Sequence, residues 1–403
     1  MPEFVSLFSG AGGLDLGLER AGWRCLFSCD HDSAAFNTLR VNQLAGTAFE
    51  GTSIRQADIA KLSGAEVLEA AKRKRGEIEL LAGGPPCQSW SSAGLQLGFA
   101  DPRGQLVEHY VRLAKELQTK LILFENVRGL LTARGPSGRP GEALEIIRRR
   151  LLNDAGYETQ VKLLNAADFG VPQRRVRLIL LGHRAGEAPT YPAPTHSALP
   201  MPGAGRRPWI SLGRCISDLT PPKEDEIERP GPKLTEELKS IQPGSGVKSP
   251  GKRETTRPGG HWGYKQGAFV ADPGRPARTV TANSQQDWIR DPVLGLRKLT
   301  IRETARIQSF IAKWQFVGSR SDKRRLIGNA VPPLLAEKIG RHLIAWLLVN
   351  SKNLRPQSKK DRKIELLPLP IELAAAIQYT LKEERRNGQS RRSAQVKRVN
   401  AVG

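Results

Sequence analysis

Short apolar, β-branched runs alternate with stretches of helical periodicity through the first half of the chain. "EFVSLF" reads as a strand, and "LDLGLERAG" as a helix closed by Gly22. "RCLFSCD" is a second strand, followed by the helix "SAAFNTLRVNQ", with Ser33 placed to cap it. A short strand near Ile54, the helix "AEVLEAAKRKR" and the strand "EIELLAG" come next. A polar loop then leads to the helix "QLVEHYVRLAKELQ", the strand "KLILFENV" and the helix "EALEIIRRRLLNDAG". This alternation predicts βαβ units and a mostly parallel, Rossmann-like α/β sheet covered on both faces. "YETQVKLLNA" and "RRVRLILLG" read as an antiparallel pair at its edge.

From about His183 to Ala271 the periodicity fades, Pro and Gly crowd in, and Trp209, Trp262 and Tyr264 stand among Lys and Arg. Order returns with "RKLTIRETARIQSF" and a last helix, "PLLAEKIGRHLIAWLLVN". The pattern divides the chain at 1–183, 184–270 (a smaller, irregular domain), 271–350 (a segment returning to the first domain) and 351–403, a basic extension. That extension reads either as a solvated tail or as a sequence-independent DNA tether around an amphipathic helix in "PLPIELAAAIQYTLKEERR".

Charge narrows the class of partner. Lys and Arg number 63 against 40 Asp and Glu, a net +23, which favours a polyanion and above all nucleic acid. Four cysteines, Cys25, Cys29, Cys87 and Cys215, suit a reducing compartment and no disulfide framework. No second Cys or His pair follows Cys25 and Cys29 at ligand spacing, so no metal is expected. "MPEFVSLFSG" lacks a basic leader, and "LIAWLLV" is too short to span a bilayer. The expectation is a cytoplasmic, nucleoid-associated protein without a membrane partner.

The candidate chemistry lies at the strand ends. In "FSGAGGLDLG", Gly10, Gly12 and Gly13 permit a sharp turn and close backbone approach to a ligand. A dinucleotide fingerprint would need glycine where Asp15 stands, and its charge opposes a pyrophosphate, so an adenosine cofactor without phosphates fits better. Asp30 closes the second strand, where a carboxylate can accept ribose hydroxyls, and Asp58 closes the third, within reach of an adenine amino group. Cys87 follows Pro85 and Pro86 at the end of the fourth strand. The prolines aim the thiol, and the polar, glycine-bearing "QSWSSAGLQLGFADPRG" suits a lid. Glu125, in "ENV" one strand later, reads as a helix cap or as a general acid. Arg175 and Arg177 in "QRRVR" alternate onto one strand face and could lower a thiolate pKa or grip a base.

In this order and spacing, "FSGAGGLDLG", "GGPPCQS", "ENV", "QRRVR", "RPARTVTA" and "GNAVPP" make the chain resemble the DNA (cytosine-5)-methyltransferases of bacterial restriction-modification systems, from Phe4 to about Val349. The resemblance implies an S-adenosylmethionine pocket lined by Phe8, Gly10, Gly12, Asp30 and His31, with Asp58, Ile59 and Leu106 beside them. Asn329 and Ala330 would close it from the other side. It further implies Cys87 as nucleophile, Glu125 on the target cytosine, Arg175 and Arg177 on the flipped nucleotide, and target recognition by 184–270. His31 stands where the family carries an aromatic residue over the adenine.

The residue chemistry agrees with that implication. Cytosine C5 is a poor nucleophile until a thiolate adds at C6 while N3 is protonated or hydrogen-bonded, and a thiol with a nearby carboxyl is the pair this requires. The base must leave the duplex to be reached. The expected partner is double-stranded DNA, with an endonuclease sharing the site but not bound, and the expected state is monomeric. A tRNA-directed relative, a non-enzymatic DNA-binding regulator and a flavin or nicotinamide oxidoreductase are the rival readings. The long insert, the filled catalytic positions and Asp15 weigh against them in turn.

Overall fold

A buried run, Glu3–Leu7, forms β1, and the glycine turn after it launches α1 (Gly13–Ala21). Then come β2 (Arg24–Asp30), α2 (Ser33–Leu44), β3 (Ser53–Gln56), α3 (Gly64–Ala71) and β4 (Leu80–Gly83). The series continues with α4 (Pro102–Leu117), β5 (Leu121–Val127), α5 (Glu142–Asn153), β6 (Glu158–Asn165) and β7 (Val176–His183). The computed structural model describes residues 1–86, 102–199, 205–248, 267–283, 286–350 and 366–380.

These strands make one sheet in the order β3-β2-β1-β4-β5-β7-β6. Neighbours among β1 to β5 are parallel, whereas β7 runs antiparallel to both β5 and β6. The antiparallel pair expected from sequence is therefore present, attached through β7. The sheet separates two cores. One joins Val67, Tyr110, Leu113 and Ile147 from α3, α4 and α5 to Val5, Phe27 and Phe124. The other joins Leu14 and Leu18 of α1 to Leu335, Ile339 and Leu343 of α10 (Pro333–Asn350).

α1 and α10 approach so closely that a Cβ on Gly17 would lie 2.3 Å from the Pro333 carbonyl oxygen. Trp23 Nε1 donates to the Gly340 carbonyl at 2.9 Å across the same contact. α10 is thus seated on the same face of the sheet as α1.

Between these parts lie β8 (His196–Ser197), β9 (Arg207–Pro208), α6 (Leu212–Ile216) and α7 (Pro232–Ser240). A second sheet follows, ordered β10 (Ser245–Gly246), β11 (Phe269–Val270), β12 (Trp288–Asp291), β13 (Gly295–Lys298). It runs through position 270, where the sequence pattern had suggested a division. Arg297 of β13, only 2% exposed, pairs with Asp291 at the end of β12 at 2.8 Å and with Glu303 of the next helix, α8 (Ile301–Ile307), at 2.7 Å. α9 (Arg320–Asn329) then leads into α10.

Three local expectations change. Asp32, not Ser33, caps α2, its carboxylate accepting from Ala35 N at 2.9 Å. An ionised side chain one residue earlier outcompetes the hydroxyl for the free amides of the first turn. α3 stops at Ala71, because Lys72 takes a left-handed conformation (φ 53°) and the run of Lys and Arg offers no apolar face to continue it. β3 ends at Gln56, so Asp58 lies two residues beyond it, in a turn.

Candidate active site at the strand ends

The C-terminal ends of β1 to β5 and the start of β7 share one edge of the sheet. At the β1 end, Phe8 and Gly10 have left-handed backbones (φ 57° and 55°), and Gly12, also left-handed, is the N-cap of α1. A side chain on Gly12 would strike Leu39, Trp314 and Phe49 within 3.2 Å, so the turn must be bare there to lie flat on the core. Gly10 faces open space.

Asp30 organises this turn. Its Oδ2 accepts Gly10 N at 2.8 Å, its Oδ1 accepts Asp32 N at 3.0 Å, and His31 Nδ1 lies 3.4 Å away. The His31 ring is exposed, and its pKa is raised first by the hydrogen bond to Asp30, with Asp32 and Asp58 adding to it. Asp58 is exposed, one carboxylate oxygen accepting Ala60 N at 3.0 Å. Ile59 and Leu106 pack on the α3–α4–α5 core. On the far side, Asn329 is exposed at the end of α9, and the Ala330 Cβ stands against Gly13. Gly10, Asp30 and His31 thus meet at one open turn, with Asp58 near enough to His31 to act on its charge. Those carboxylates suit a cationic ligand bearing hydroxyls and oppose a pyrophosphate.

Asp15 is corrected. It does not face a ligand but lies fully buried under the turn, where Ser6 Oγ donates at 2.5 Å and Ser28 Oγ at 3.1 Å. Ser9 completes the cluster, 3.0 Å from Ser6 Oγ and 2.7 Å from Ser28 Oγ. Burial pushes Asp15 up to about 6 against the pull of these hydroxyls. The carboxylates at the turn itself are Asp30 and Asp58, since Asp32 is paired with Arg325 at 3.0 Å. Sequence pattern could not separate an Asp under the loop from one over it, although serines on two adjacent strands were the available signal.

The other half of the edge is charged and buried. Glu125, 7% exposed, lies two residues before the end of β5, and Arg177 Nε lies 2.9 Å from its Oε1. Burial raises the Glu125 carboxyl above the usual glutamate range, while Arg177 and then Arg175 pull it down. Arg175 donates to the Val280 carbonyl at 3.1 Å and the Gly328 carbonyl at 2.8 Å, so it also ties β7 to "RPARTVTA" and "GNAVPP". Sequence reasoning aimed both arginines into the cleft, and the Arg175 seam is what it missed. Gln173 belongs to the same seam, accepting from Val280 N at 2.8 Å and donating to Gln308 Oε1 at 2.8 Å.

Cys87 lies outside the described residues, but its approach does not. A Cβ on Gly84 would meet Glu125 Oε2 at 2.9 Å, and Asn126 Nδ2 donates to the Pro85 carbonyl at 3.1 Å. The chain entering Cys87 is therefore fastened directly to "ENV". Among the described residues the thiols of Cys25, Cys29 and Cys215 are buried, and burial raises the pKa of each, which makes them poor nucleophiles. No described helix is long and apolar enough to cross a membrane.

The profile of C-5 cytosine-specific DNA methylases matches residues 3–345. The Type II methyltransferase M1.HphI of Haemophilus parahaemolyticus is 32% identical over 350 residues, covering 85% of this chain and 86% of that one. M.Eco47II of Escherichia coli is 32% identical over 369 residues, covering 85% and 79%. Among solved structures, S. pombe Dnmt2 methyltransferase aligns at a TM-score of 0.57 and 16% identity, covering 87% of this chain and 100% of that one. Spodoptera frugiperda DNMT2 aligns at 0.59 and 17%, covering 85% and 100%. At those identities the structural likeness speaks for the fold.

Proposed function

We infer the chemistry from one premise: the chain belongs to the C-5 cytosine-specific DNA methylase family and is a DNA (cytosine-5)-methyltransferase. We propose that the Cys87 thiolate adds to C6 of a cytosine turned out of the duplex, as a base cannot react from within the stack. Glu125 holds a proton at N3 as charge develops there, and the burial that raises its pKa keeps that proton available nearer neutral pH. Addition at C6 makes C5 electron-rich. S-adenosylmethionine, when bound, supplies the electrophilic methyl group for C5. Loss of the C5 proton and departure of Cys87 from C6 then restore the aromatic ring.

The acidic turn fits that cofactor. Asp30, oriented by the Gly10 and Asp32 amides, is the acceptor for ribose hydroxyls. His31 and Ile59 would flank the adenine, with Asp58 accepting from its amino group. Phe8, Gly10 and Gly12 would form the floor, and Leu106, Asn329 and Ala330 the walls. Arg177 contacts the target nucleotide beside Glu125, while Arg175 positions the strand that carries it. We assign sequence readout to the segment from about 184 to 270, and the protein to the cytoplasm as a monomer whose cognate endonuclease, where one exists, shares its site without binding it.

The observation that carries this reading is the contact of Glu125 and Asn126 with the backbone of Gly84 and Pro85, leading into Cys87. On duplex DNA containing 5-fluorocytosine, with S-adenosylmethionine present, the protein should form a lasting covalent complex, because once C5 is methylated fluorine cannot leave as a proton does and Cys87 stays bound at C6. Cys87→Ala should form none and should methylate no DNA while still binding it. Methylation surviving in Cys87→Ala would overturn the assignment.

A further inference from the structure

At the end of β2, the acidic turn is held not only by its own amides but by a helix from far along the chain. Arg325 of α9 reaches both carboxylate oxygens of Asp32, its Nη2 lying 3.1 Å from Oδ1 and 3.0 Å from Oδ2. The same nitrogen donates to Asp322 Oδ1 at 2.9 Å. Asp322 is pinned in turn by the start of α9, its Oδ2 accepting Ser319 N at 3.1 Å and Ser319 Oγ at 2.6 Å. Ser319 first, and then Arg325, hold the Asp322 carboxyl down to about 2, so it is ionised near neutral pH.

An exposed ion pair standing alone is worth little. This one joins two parts that are each fixed independently. At the far end of α9, Gln308 Nε2 donates to the Ile327 carbonyl at 2.6 Å and Arg175 Nη2 to the Gly328 carbonyl at 2.8 Å. A Cβ on Gly328 would lie 2.3 Å from the Thr281 carbonyl oxygen, so the helix cannot shift toward that strand. The chain entering α9 is seated on α2, where Asn42 bonds both backbone groups of Gln315 at 2.8 and 3.0 Å and Thr38 Oγ1 accepts Val317 N at 3.0 Å. α9 therefore keeps its place without Arg325.

On the other side of the bridge, Asp32 has two duties. Its carboxylate caps α2 through Ala35 N, and its amide donates to Asp30 Oδ1 at 3.0 Å. Asp30 Oδ2 meets Gly10 N at 2.8 Å, so the place of Asp32 helps to set where both Asp30 oxygens aim.

We propose that Arg325 is a positioning residue for the cofactor, holding Asp32 from α9 so that Asp30 stays aimed at the ribose hydroxyls. It acts through the Asp32 amide and not by touching the ligand. A loosened turn weakens the grip on the adenosine part and spares the chemistry at C5. The sulfonium charge does not enter, so S-adenosylmethionine and the neutral product S-adenosylhomocysteine should lose affinity alike. The proposal rests on the S-adenosylmethionine reading of this turn.

Calorimetric titration of the full-length protein with each ligand tests it. The variants are Arg325→Gln, Arg325→Lys, Asp32→Asn and the double variant Asp32→Asn with Arg325→Gln. Arg325→Gln should weaken both ligands by about 3- to 5-fold, a part of one charged hydrogen bond. In methylation assays the loss should fall on the KM for S-adenosylmethionine and not on kcat at saturation. The Arg325 side chain is 37% exposed, so the urea midpoint should stay near native. Arg325→Lys keeps the charge without the planar fork and should recover part of the affinity. The double variant should lose no more than Arg325→Gln alone, because both changes break one contact. Asn can still cap α2, so Asp32→Asn reads the same contact from the other side, whatever Arg325→Gln does to the fold, and should weaken both ligands too.

Unchanged affinity in Arg325→Gln and Asp32→Asn overturns the proposal and leaves a solvated ion pair. A loss confined to S-adenosylmethionine overturns it as well, since that would trace to charge. So does an additive loss in the double variant, which would route the effect around Asp32. Native protein that binds neither ligand would overturn the cofactor reading itself, and the proposal with it.

Discussion

The two halves of the active edge are built on opposite electrostatic plans. Around β1 and β2, carboxylates are met by neutral donors: Ser6 and Ser28 on Asp15, and the Gly10 and Asp32 amides on Asp30. Around β5 and β7, a carboxylate is met by guanidinium, Arg177 against Glu125, with both side chains about nine-tenths buried. Neutral donors fix the shape of a turn while leaving net negative charge to attract a cation. A buried ion pair instead leaves little net charge but lets the protonation of its acid respond to whatever displaces the partner.

The largest effect that separates them is on turnover. Glu125→Gln should reduce kcat by about 10²- to 10⁴-fold, the range for losing a general acid, with the KM for S-adenosylmethionine unchanged. Single-turnover methylation at saturating cofactor reads it. An unchanged rate would reduce Glu125 to a partner of Arg177.

On the neutral side the corresponding change appears in stability. The Asp15 carboxyl, at about 6 when folded against an ordinary 3.8, binds its proton more tightly in the folded than in the unfolded chain. Its contribution is therefore complete below about pH 4 and is lost as pH rises through about 6, a swing on the order of 3 kcal/mol. Asp15→Asn should abolish that part of the pH dependence, so that native and variant differ more at pH 7.5 than at pH 4 in urea unfolding. A difference independent of pH would mean that Asp15 is not protonated on burial.

A smaller effect sharpens the contrast further. Asp30→Ala should raise the KM for S-adenosylmethionine about tenfold, as expected for losing roughly 1.4 kcal/mol of binding, and leave kcat at saturation near native. If kcat fell in step instead, the turn at Gly10 would be acting on the catalytic half, and the two plans would not be separable.

Much of this was legible before any coordinates. Strand ends are visible because parallel strands are apolar runs with abrupt stops: β2 and β4 end at Asp30 and in the "GGPP" turn, Phe8 follows β1 directly, and Glu125 lies two residues before the end of β5. What failed was direction. Sequence gives the position of Asp15 on α1 but not that Ser6 and Ser28, on neighbouring strands, would turn it inward. Alternation gives Arg175 and Arg177 a common face, but not the Val280 and Gly328 carbonyls that draw Arg175 into a seam more than a hundred residues away in the chain. The irregular segment hid its sheet because β10, β11, β12 and β13 are two to four residues long, too short for periodicity to register. In the tail the expected amphipathic helix is present over residues 371–380, but its partner, the α3–α4–α5 core on which Leu373 packs, was not legible because nothing in the local pattern names the surface that receives it.

The seating of α10 on α1 also dictates a timetable for biosynthesis. The helix that opens at the cofactor turn is among the first parts of the chain to leave the ribosome, and the residues that cover it, Pro333 to Leu343, are among the last of the family-matched region. For most of translation the apolar face of α1 has no permanent cover. At roughly 5–20 residues per second that interval lasts on the order of 15 to 60 seconds. A chain that stalls before residue 333 therefore leaves a leucine-rich helix uncovered for chaperones and proteases to find.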